Sequence, residues 1–275
     1  MAARRVCWLT RHGESEYNVL GLLGGNPSCS ARGQQYAEVL PALLASRMTP
    51  DEARSLQVVT STLRRTILTA RNVPSASPQE RLQELDEISA GVCDGMSYAE
   101  VERTMPPEAA ARSADKLGYR YPRGESYVDV LARVAPVVER LRGSGGAPPM
   151  LVVAHQAVLR CVLGTLTAAD PNSIPQLHIP LHTLLEVTLL PDGTATYKAL
   201  PANLDLGARA VEAAAAAAAE STSAAADEAA ALAASVLGGG GAARQADEEE
   251  EQQEQQQRGL EQIRVAEQRC AVPAT

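Results

Sequence analysis

Leu9-Thr10-Arg11-His12-Gly13-Glu14 closes the first apolar run of the chain, and the fold is decided by how this stretch is read. Val6 to Leu9 reads as a short buried strand, which Gly13 breaks directly after an Arg-His pair. The imidazole is therefore expected at the carboxyl end of a strand, where open α/β sheets place their ligands. A neutral imidazole is a nucleophile toward phosphorus, a neighbouring guanidinium neutralises phosphate oxygens, and a glycine lets backbone N–H groups approach an anion. An isolated R-H-G also fits a satisfied histidine in a strand-end turn, so the weight falls on whether the chain repeats the arrangement.

Met150 to Ala154 repeats it: the run is apolar throughout, reads as a central strand of a parallel sheet, and ends at His155. Gln156 and a helix carrying Arg160 follow. Two histidines at the ends of two buried strands predict a paired-histidine site. A third strand, Leu56 to Thr60, ends in Ser61, and a helix over Thr62 to Ala70 is expected to be capped by the Ser-Thr pair. Its first turn would bring the Arg65 cation to a cluster of free N–H groups.

Asn18 and Gly21-Leu22-Leu23-Gly24-Gly25-Asn26 read as a glycine-rich loop able to wrap a phosphate with main-chain donors. Ser30 caps a helix predicted to about Ser46, with Tyr36, Val39, Leu40, Leu43 and Leu44 on one face. Leu82 to Ile88 is an acidic run next to small residues, and either Asp86 or Glu87 could donate a proton there. Ser97 and Glu100 have capping-box spacing, so a helix is expected from Ser97 to a stop at Pro106-Pro107. Residues 108–127 then interleave Arg112, Lys116, Tyr119, Arg120, Tyr121, Arg123 and Tyr127. Glu125 to Arg142 is an amphipathic helix. Leu184 to Leu190 and Thr194 to Leu200, joined through Pro191-Asp192-Gly193, form a hairpin expected as an antiparallel addition at the sheet edge.

Charge separates the chain into two parts. Of its net −8, residues 208–275 supply −7, from 5 basic and 12 acidic residues. The near-neutral body lacks the concentrated basic footprint that nucleic acid requires, so the cations and tyrosines of 108–127 read as a site for a second phosphate on a small molecule. Five scattered cysteines without C-x-x-C spacing indicate neither a zinc site nor a disulfide framework, and reduced intracellular thiols are expected. No leader is expected before a strand that starts so near Met1, and no apolar run reaches the roughly 18 residues of a membrane span. The expected location is cytoplasmic. Residues 1–207 are read as one domain and 208–275, with seven consecutive alanines, four glycines and a Glu/Gln block, as a low-complexity tail, helical or disordered. A solvated appendage is the first reading of that tail; contact with a protein partner through its acidic blocks is the second.

Taken together, L-T-R-H-G-E-S-E-Y-N, S-A-R-G, T-S-x-x-R-R-T, E-I-x-A-G-V-C-D-G-M-S-Y, Y-R-Y-P-R-G-E-S-Y and H-Q-A-V-L-R-C resemble the histidine phosphatase superfamily. Within it they look most like the fructose-2,6-bisphosphatase half of the bifunctional 6-phosphofructo-2-kinase/fructose-2,6-bisphosphatases, from about residue 6 to about residue 200. The resemblance implies an α/β three-layer sandwich with a mostly parallel mixed sheet, like that of the phosphoglycerate mutases. It implies His12 as the phosphorylated nucleophile, with Arg11, Asn18, Arg65 and His155 around the transferred phosphoryl group. Glu87 becomes the proton donor, and the resemblance thus decides between Asp86 and Glu87. Gly24 would lie beside the substrate, while Tyr98, Arg112, Lys116, Tyr127, Gln156 and Arg160 would hold the sugar and its 6-phosphate. Leu20 and Leu22 stand where relatives often carry arginines, and Gly118 replaces a bulkier residue.

The implied reaction is hydrolysis of the 2-phosphate of fructose 2,6-bisphosphate, a step in the control of glycolysis and gluconeogenesis. It would need a neutral His12, a protonated His155, and a Glu87 whose proton is retained by burial or by the phosphate charge. No metal and no cofactor are expected, because guanidiniums and imidazolium supply the electrostatic stabilisation. Kinase activity is not expected, since the bifunctional family's kinase domain precedes this region and no G-x-x-x-x-G-K-[ST] occurs. The alternatives are a broader sugar-phosphate phosphatase or phosphoglycerate mutase-type enzyme, and an inactive protein that senses a phosphometabolite.

Overall fold

A computed structural model describes residues 5–143 and 147–204. The elements run β1 (Arg5–Arg11), α1 (Glu16–Leu20), α2 (Ala31–Ala45), α3 (Pro50–Ser55), β2 (Gln57–Thr60), α4 (Arg64–Ala70), β3 (Glu80–Arg81), α5 (Tyr98–Thr104), α6 (Pro106–Ala114), α7 (Tyr127–Arg142), β4 (Met150–Ala154), α8 (Gln156–Leu166), β5 (Thr183–Leu189) and β6 (Ala195–Pro201). The strands form one sheet in the order β3-β2-β4-β1-β5-β6. β3, β2, β4 and β1 are mutually parallel, and β5 and β6 add antiparallel beyond β1. This is the expected mostly parallel mixed sheet with a hairpin at its edge.

Strand alternation sends side chains to two different cores, as a sheet covered on both faces requires. Trp8, Val58, Leu151 and Val153 pack with Tyr36, Leu40 and Leu44 of α2 and Ala70 of α4. Cys7, Leu9, Val152 and Ala154 face the other way, against Val130, Val134, Val138 and Leu141 of α7 and Leu159, Val162 and Leu163 of α8. Each fully buried Leu or Val of these layers contributes about 1.5–3 kcal/mol relative to exposure. Two helical layers about one sheet make the three-layer sandwich.

Several boundaries differ from the sequence expectation, each for a local reason. Asn18 lies not in a loop but in α1, a single helical turn that Ser15 opens by a capping box with Asn18 and Gly21 closes at φ +69°. Pro106 and Pro107 do not merely stop a helix: α5 ends at Thr104, and the two prolines occupy the first turn of α6, where a missing N–H costs nothing. The helix after β2 starts at Arg64, and neither Ser61 nor Thr62 caps it. Ser61 Oγ instead accepts from Leu63 N at 3.1 Å, while Asp86 Oδ1 takes both the N–H and the hydroxyl of Thr62 at 2.8 Å. The expectations for residues 208–275 lie outside the described residues.

Gly13, directly after the first histidine, touches the first turn of α2. A Cβ on Gly33 would lie 2.1 Å from Glu14 O, and one on Gly13 would lie 2.4 Å from Gly33 O. Both obstacles are backbone, so neither can swing away. Gly33→Ala is expected to destabilise the protein by about 1–3 kcal/mol, the usual cost of overpacking, and to lower the urea midpoint with an unchanged slope. An unaltered midpoint would show that the turn can yield.

Candidate active site

The site follows from the sheet. β1 and β4 are adjacent and parallel with Arg11 opposite Ala154, so the residues that follow them emerge side by side. His12 N donates to Ala154 O at 2.9 Å, which carries the ladder one residue past the strand. The two rings meet with centroids 5.1 Å apart, tilted by 54°. The two strand-end histidines are thus brought together as expected.

A pocket of about 590 Å³ opens above His12. Arg11, His12, Asn18, Gly24, Arg65, Glu87, Tyr98, Arg112, Lys116, Tyr127, Gln156 and Arg160 all line it. His155 is the exception: fully buried, it lies beside His12 without lining the open pocket. The sequence reading missed Ser15, Tyr17, Leu23, Ala90, Glu102 and Ala157, which also line the pocket. Only Ser15 carried a recognisable signal, its capping spacing to Asn18.

Hydrogen bonds fix which atoms face a ligand. His12 Nδ1 donates to Gly13 O at 2.7 Å. A carbonyl can only accept, so the proton sits on Nδ1 and Nε2 keeps its lone pair. Burial, then Arg65 and Arg11, hold the His12 pKa well below its usual value, so the ring is neutral near pH 7, as expected. His155 Nε2 lies 2.7 Å from Ser61 Oγ, whereas its buried Nδ1 has no hydrogen-bond partner among the described residues. Burial, Arg65 and His12 also push His155 far below the usual imidazole range. Beside guanidiniums and His12 alone this imidazole is neutral, whereas the protonated form expected of His155 belongs to the step in which a phosphoryl charge lies next to it.

Asn18 Oδ1 accepts from Ser15 N at 3.0 Å and from Ser15 Oγ at 3.1 Å, which leaves the amide NH2 as the group presented to the pocket. Arg65 Nη1 donates to Gly25 O at 2.9 Å and Arg11 Nη1 to Ile179 O at 3.1 Å, so both guanidiniums are anchored by one arm. Arg11 is brought down to about 10 chiefly by burial and stays charged at neutral pH. Glu87 Oε1 accepts from Ala157 N at 3.2 Å, in the first turn of α8, and from Ile88 N at 3.0 Å. Asp86, turned to Thr62, does not line the pocket. Gly24, at φ +66°, sits where a Cβ would strike the Asp94 carboxylate, whose Oδ1 accepts from Gly25 N at 2.8 Å.

A second group of cations faces the same pocket. Arg112 donates to Tyr121 Oη at 2.8 Å and to Tyr98 Oη at 3.1 Å, with its guanidinium 4.7 Å from the Tyr98 ring centroid. Arg160 donates to Leu177 O at 2.7 Å and to Tyr127 Oη at 3.1 Å. Lys116 Nζ donates to Pro175 O at 2.9 Å. Burial lowers the Lys116 pKa most, and the like charges of Arg160 and Arg112 lower it further.

Fold and site define a class: an α/β protein whose parallel strands deliver paired histidines and arginines to a cationic pocket, suited to a phosphorylated anion. The family model of the histidine phosphatase superfamily (branch 1) matches residues 7–199, and the chain belongs to that superfamily. It is 45% identical over 185 residues to a 6-phosphofructo-2-kinase/fructose-2,6-bisphosphatase of Arabidopsis thaliana, covering 67% of this chain and 24% of that protein. It is 38% identical over 208 residues to a Schizosaccharomyces pombe protein named as a probable fructose-2,6-bisphosphatase, covering 76% of this chain and 48% of that protein. The chain therefore spans between about a quarter and a half of the length of these relatives. Among solved structures, the alpha-ribazole phosphatase of Shigella flexneri matches with TM-score 0.62 and 25% identity, over 72% of this chain and 96% of that one. A mycobacterial glucosyl-3-phosphoglycerate phosphatase shares the fold at TM-score 0.60 and 23% identity, over 72% of this chain and 100% of that one. Among the described residues no helix is long and apolar enough to cross a membrane.

The two buried, neutral histidines make stability depend on pH with a definite sign. Their folded pKa values lie below the unfolded value, near 6.5, so the unfolded chain binds more protons in mild acid and stability falls as pH drops below that value. Each should contribute up to about 1.4 kcal/mol per pH unit in that window. Urea unfolding at pH 7 and pH 5.5 is expected to show the loss, and replacing both histidines by Gln should reduce it, leaving the share of His182, which is also held below the usual imidazole range. An equal slope in that variant would place the acid sensitivity elsewhere.

Proposed function

We propose that this protein hydrolyses the 2-phosphate of fructose 2,6-bisphosphate through a phosphohistidine on His12, releasing fructose 6-phosphate and inorganic phosphate. The observation that carries the reading is the bare Nε2 of His12 in a pocket lined by five cations. Arg11 and Arg65 stand by the nucleophile; the remaining set, Arg112, Lys116 and Arg160, of which Arg160 also acts on Arg11, exceeds what chemistry at a single phosphate needs and has no full task there. A second anionic group on the same substrate gives it one. The identity to relatives named for fructose-2,6-bisphosphatase activity supports the same reading.

In the first step His12 Nε2 attacks phosphorus and the bond from phosphorus to the sugar oxygen breaks. The leaving oxygen takes its proton from Glu87, which the first turn of α8 holds at the pocket wall. Charge spreads over the three equatorial phosphoryl oxygens, so stabilisation comes from positioned donors. Arg11, Arg65 and the Asn18 amide are three of them. The fourth is His155 Nδ1, a buried ring nitrogen without a hydrogen-bond partner among the described residues, and the phosphoryl charge favours its protonated form. Water then attacks the phosphohistidine, Glu87 takes its proton, and cleavage of the phosphorus–nitrogen bond frees His12.

The roles predict separable defects. His12→Ala should form no acid-labile phosphoenzyme, whereas Glu87→Gln should slow turnover by roughly 10²–10⁴-fold while phosphorylated His12 stays detectable. A phosphohistidine in the His12→Ala variant would reassign the nucleophile.

Substrate identity has its own test. Arg112→Ala or Lys116→Ala removes a charge-assisted contact worth about 1.5–3 kcal/mol, a loss of roughly 10- to 150-fold in affinity for fructose 2,6-bisphosphate. Hydrolysis of p-nitrophenyl phosphate, which reaches only the His12 end, should hardly change. Equal losses on both substrates would mean that these cations support the fold or the transferred phosphate, and the argument for a second anionic group would fall.

A further inference from the structure

We propose that His182 is a positioning residue for the nucleophile, acting through the peptide unit that joins Gly13 to Glu14. The proposal rests on the assignment of His12 as nucleophile above. Both polar ends of that one peptide are engaged. Its carbonyl, Gly13 O, accepts the His12 Nδ1–H at 2.7 Å, and its N–H, on Glu14, donates to His182 Nε2 at 3.1 Å. Accepting that bond requires a bare Nε2, so His182 is neutral with its proton on Nδ1. A peptide is rigid and planar, so whatever holds its N–H also aims its C=O. An acceptor on the N–H also polarises the carbonyl and strengthens the bond it receives. His182 thereby keeps His12 in the tautomer whose Nε2 can attack.

The surroundings hold His182 firmly. Its φ of +53° is left-handed, a conformation that histidine adopts more often than most side chains but that persists only where neighbours enforce it. The ring lies 5.3 Å from that of Tyr36, whose hydroxyl is 2.6 Å from Thr10 Oγ1, and Thr10 Oγ1 in turn donates to Thr183 O at 2.9 Å. Ala202 N donates to His182 O at 2.8 Å. β1, α2, β5 and the end of β6 therefore converge on a residue that is not part of the pocket wall. The groups facing its ring are Arg32 and Tyr36 from α2, Arg11 from β1, and Glu14 from the turn; Pro201 and Ala202, after the sheet turns back, are uncharged. Burial, Arg32 and Arg11 hold the imidazole below its usual range, against Glu14. Protonation in acid puts hydrogens on both nitrogens, and His182 can then no longer accept the Glu14 N–H.

His182→Phe keeps a ring against Tyr36 and removes the acceptor, whereas His182→Gln restores an acceptor that does not titrate. With p-nitrophenyl phosphate between about pH 5 and 8, His182→Phe is expected to lose roughly tenfold in kcat with KM unchanged. His182→Gln should recover most of that rate and lack the acid limb of the wild-type profile. In the wild-type protein, imidazole 15N NMR is expected to show His12 as the Nδ1–H tautomer at neutral pH, and His182 titrating with the midpoint of the acid limb. A wild-type rate and pH profile in His182→Phe would overturn the proposal, and so would an Nε2–H tautomer of His12 or a cationic His182 at pH 7. The NMR measurement decides even if a variant fails to fold. A phosphohistidine in His12→Ala would sink the nucleophile assignment instead, and the His12 tautomer would then judge the hydrogen-bond series by itself.

Discussion

The parallel pairing of β1 with β4 is the constraint on which the site depends. Its register sets Arg11 opposite Ala154, and both chains leave the sheet at the next residue. Two histidines far apart in sequence are thus neighbours before any side-chain contact is considered. A one-residue slip would turn Leu9, Val152 and their neighbours to the opposite face and disrupt both cores, so hydrophobic burial also holds the histidines in place. The packing that stabilises the sandwich and the geometry of the pocket are fixed by the same register.

Electrostatically, the pocket is poised for a ligand. Burying His12 and His155 among Arg11 and Arg65 keeps both rings neutral, and burial, with Arg160 and Arg112 beside it, lowers the Lys116 pKa. These are unfavourable arrangements in isolation, and they are anchored by hydrogen bonds to backbone carbonyls of Gly25, Leu177, Ile179 and Pro175. An anion that enters offsets each repulsion with an attraction of its own, without requiring the donors to reorganise. The same anion makes a protonated His155 favourable at the step where an imidazolium is useful.

The fold was legible where a single physical rule dominates. M-L-V-V-A read as a strand buried on both faces and is one, and Ser30 capped its helix as its side chain favours, accepting from Gly33 N at 3.2 Å. Boundaries were lost where two rules compete. Pro106-Pro107 reads as a stop from one side and as a helix start from the other, and the chain uses both. Ser61 and Thr62 look like caps but are claimed by partners distant in sequence, His155 and Asp86. For the site, residue chemistry picked out His12, His155 and Arg65 and left Asp86 and Glu87 level. The side chains differ in what lies across from them, the Thr62 loop for one and the start of α8 for the other, and that is tertiary information. His182 gave no signal at all, because its role depends on a backbone N–H 168 residues away in sequence, beyond the end of the neighbouring strand β1.

The two ends of the pocket are built from different material. The His12 end comes from the termini of parallel strands and the first turns of α4 and α8, within a fold that also resembles an alpha-ribazole phosphatase and a glucosyl-3-phosphoglycerate phosphatase at TM-scores near 0.6. The other end is contributed by Tyr98 on α5, Arg112 on α6, Lys116 in the turn that follows, and Tyr127 at the start of α7. Strand termini locked into two cores cannot vary without loss of the fold, whereas a helical excursion beyond the sheet can. On the proposed assignment, phosphoryl chemistry belongs to the strand-terminal end and most contacts to the second anionic group belong to the excursion, with Arg160 on α8 joining them.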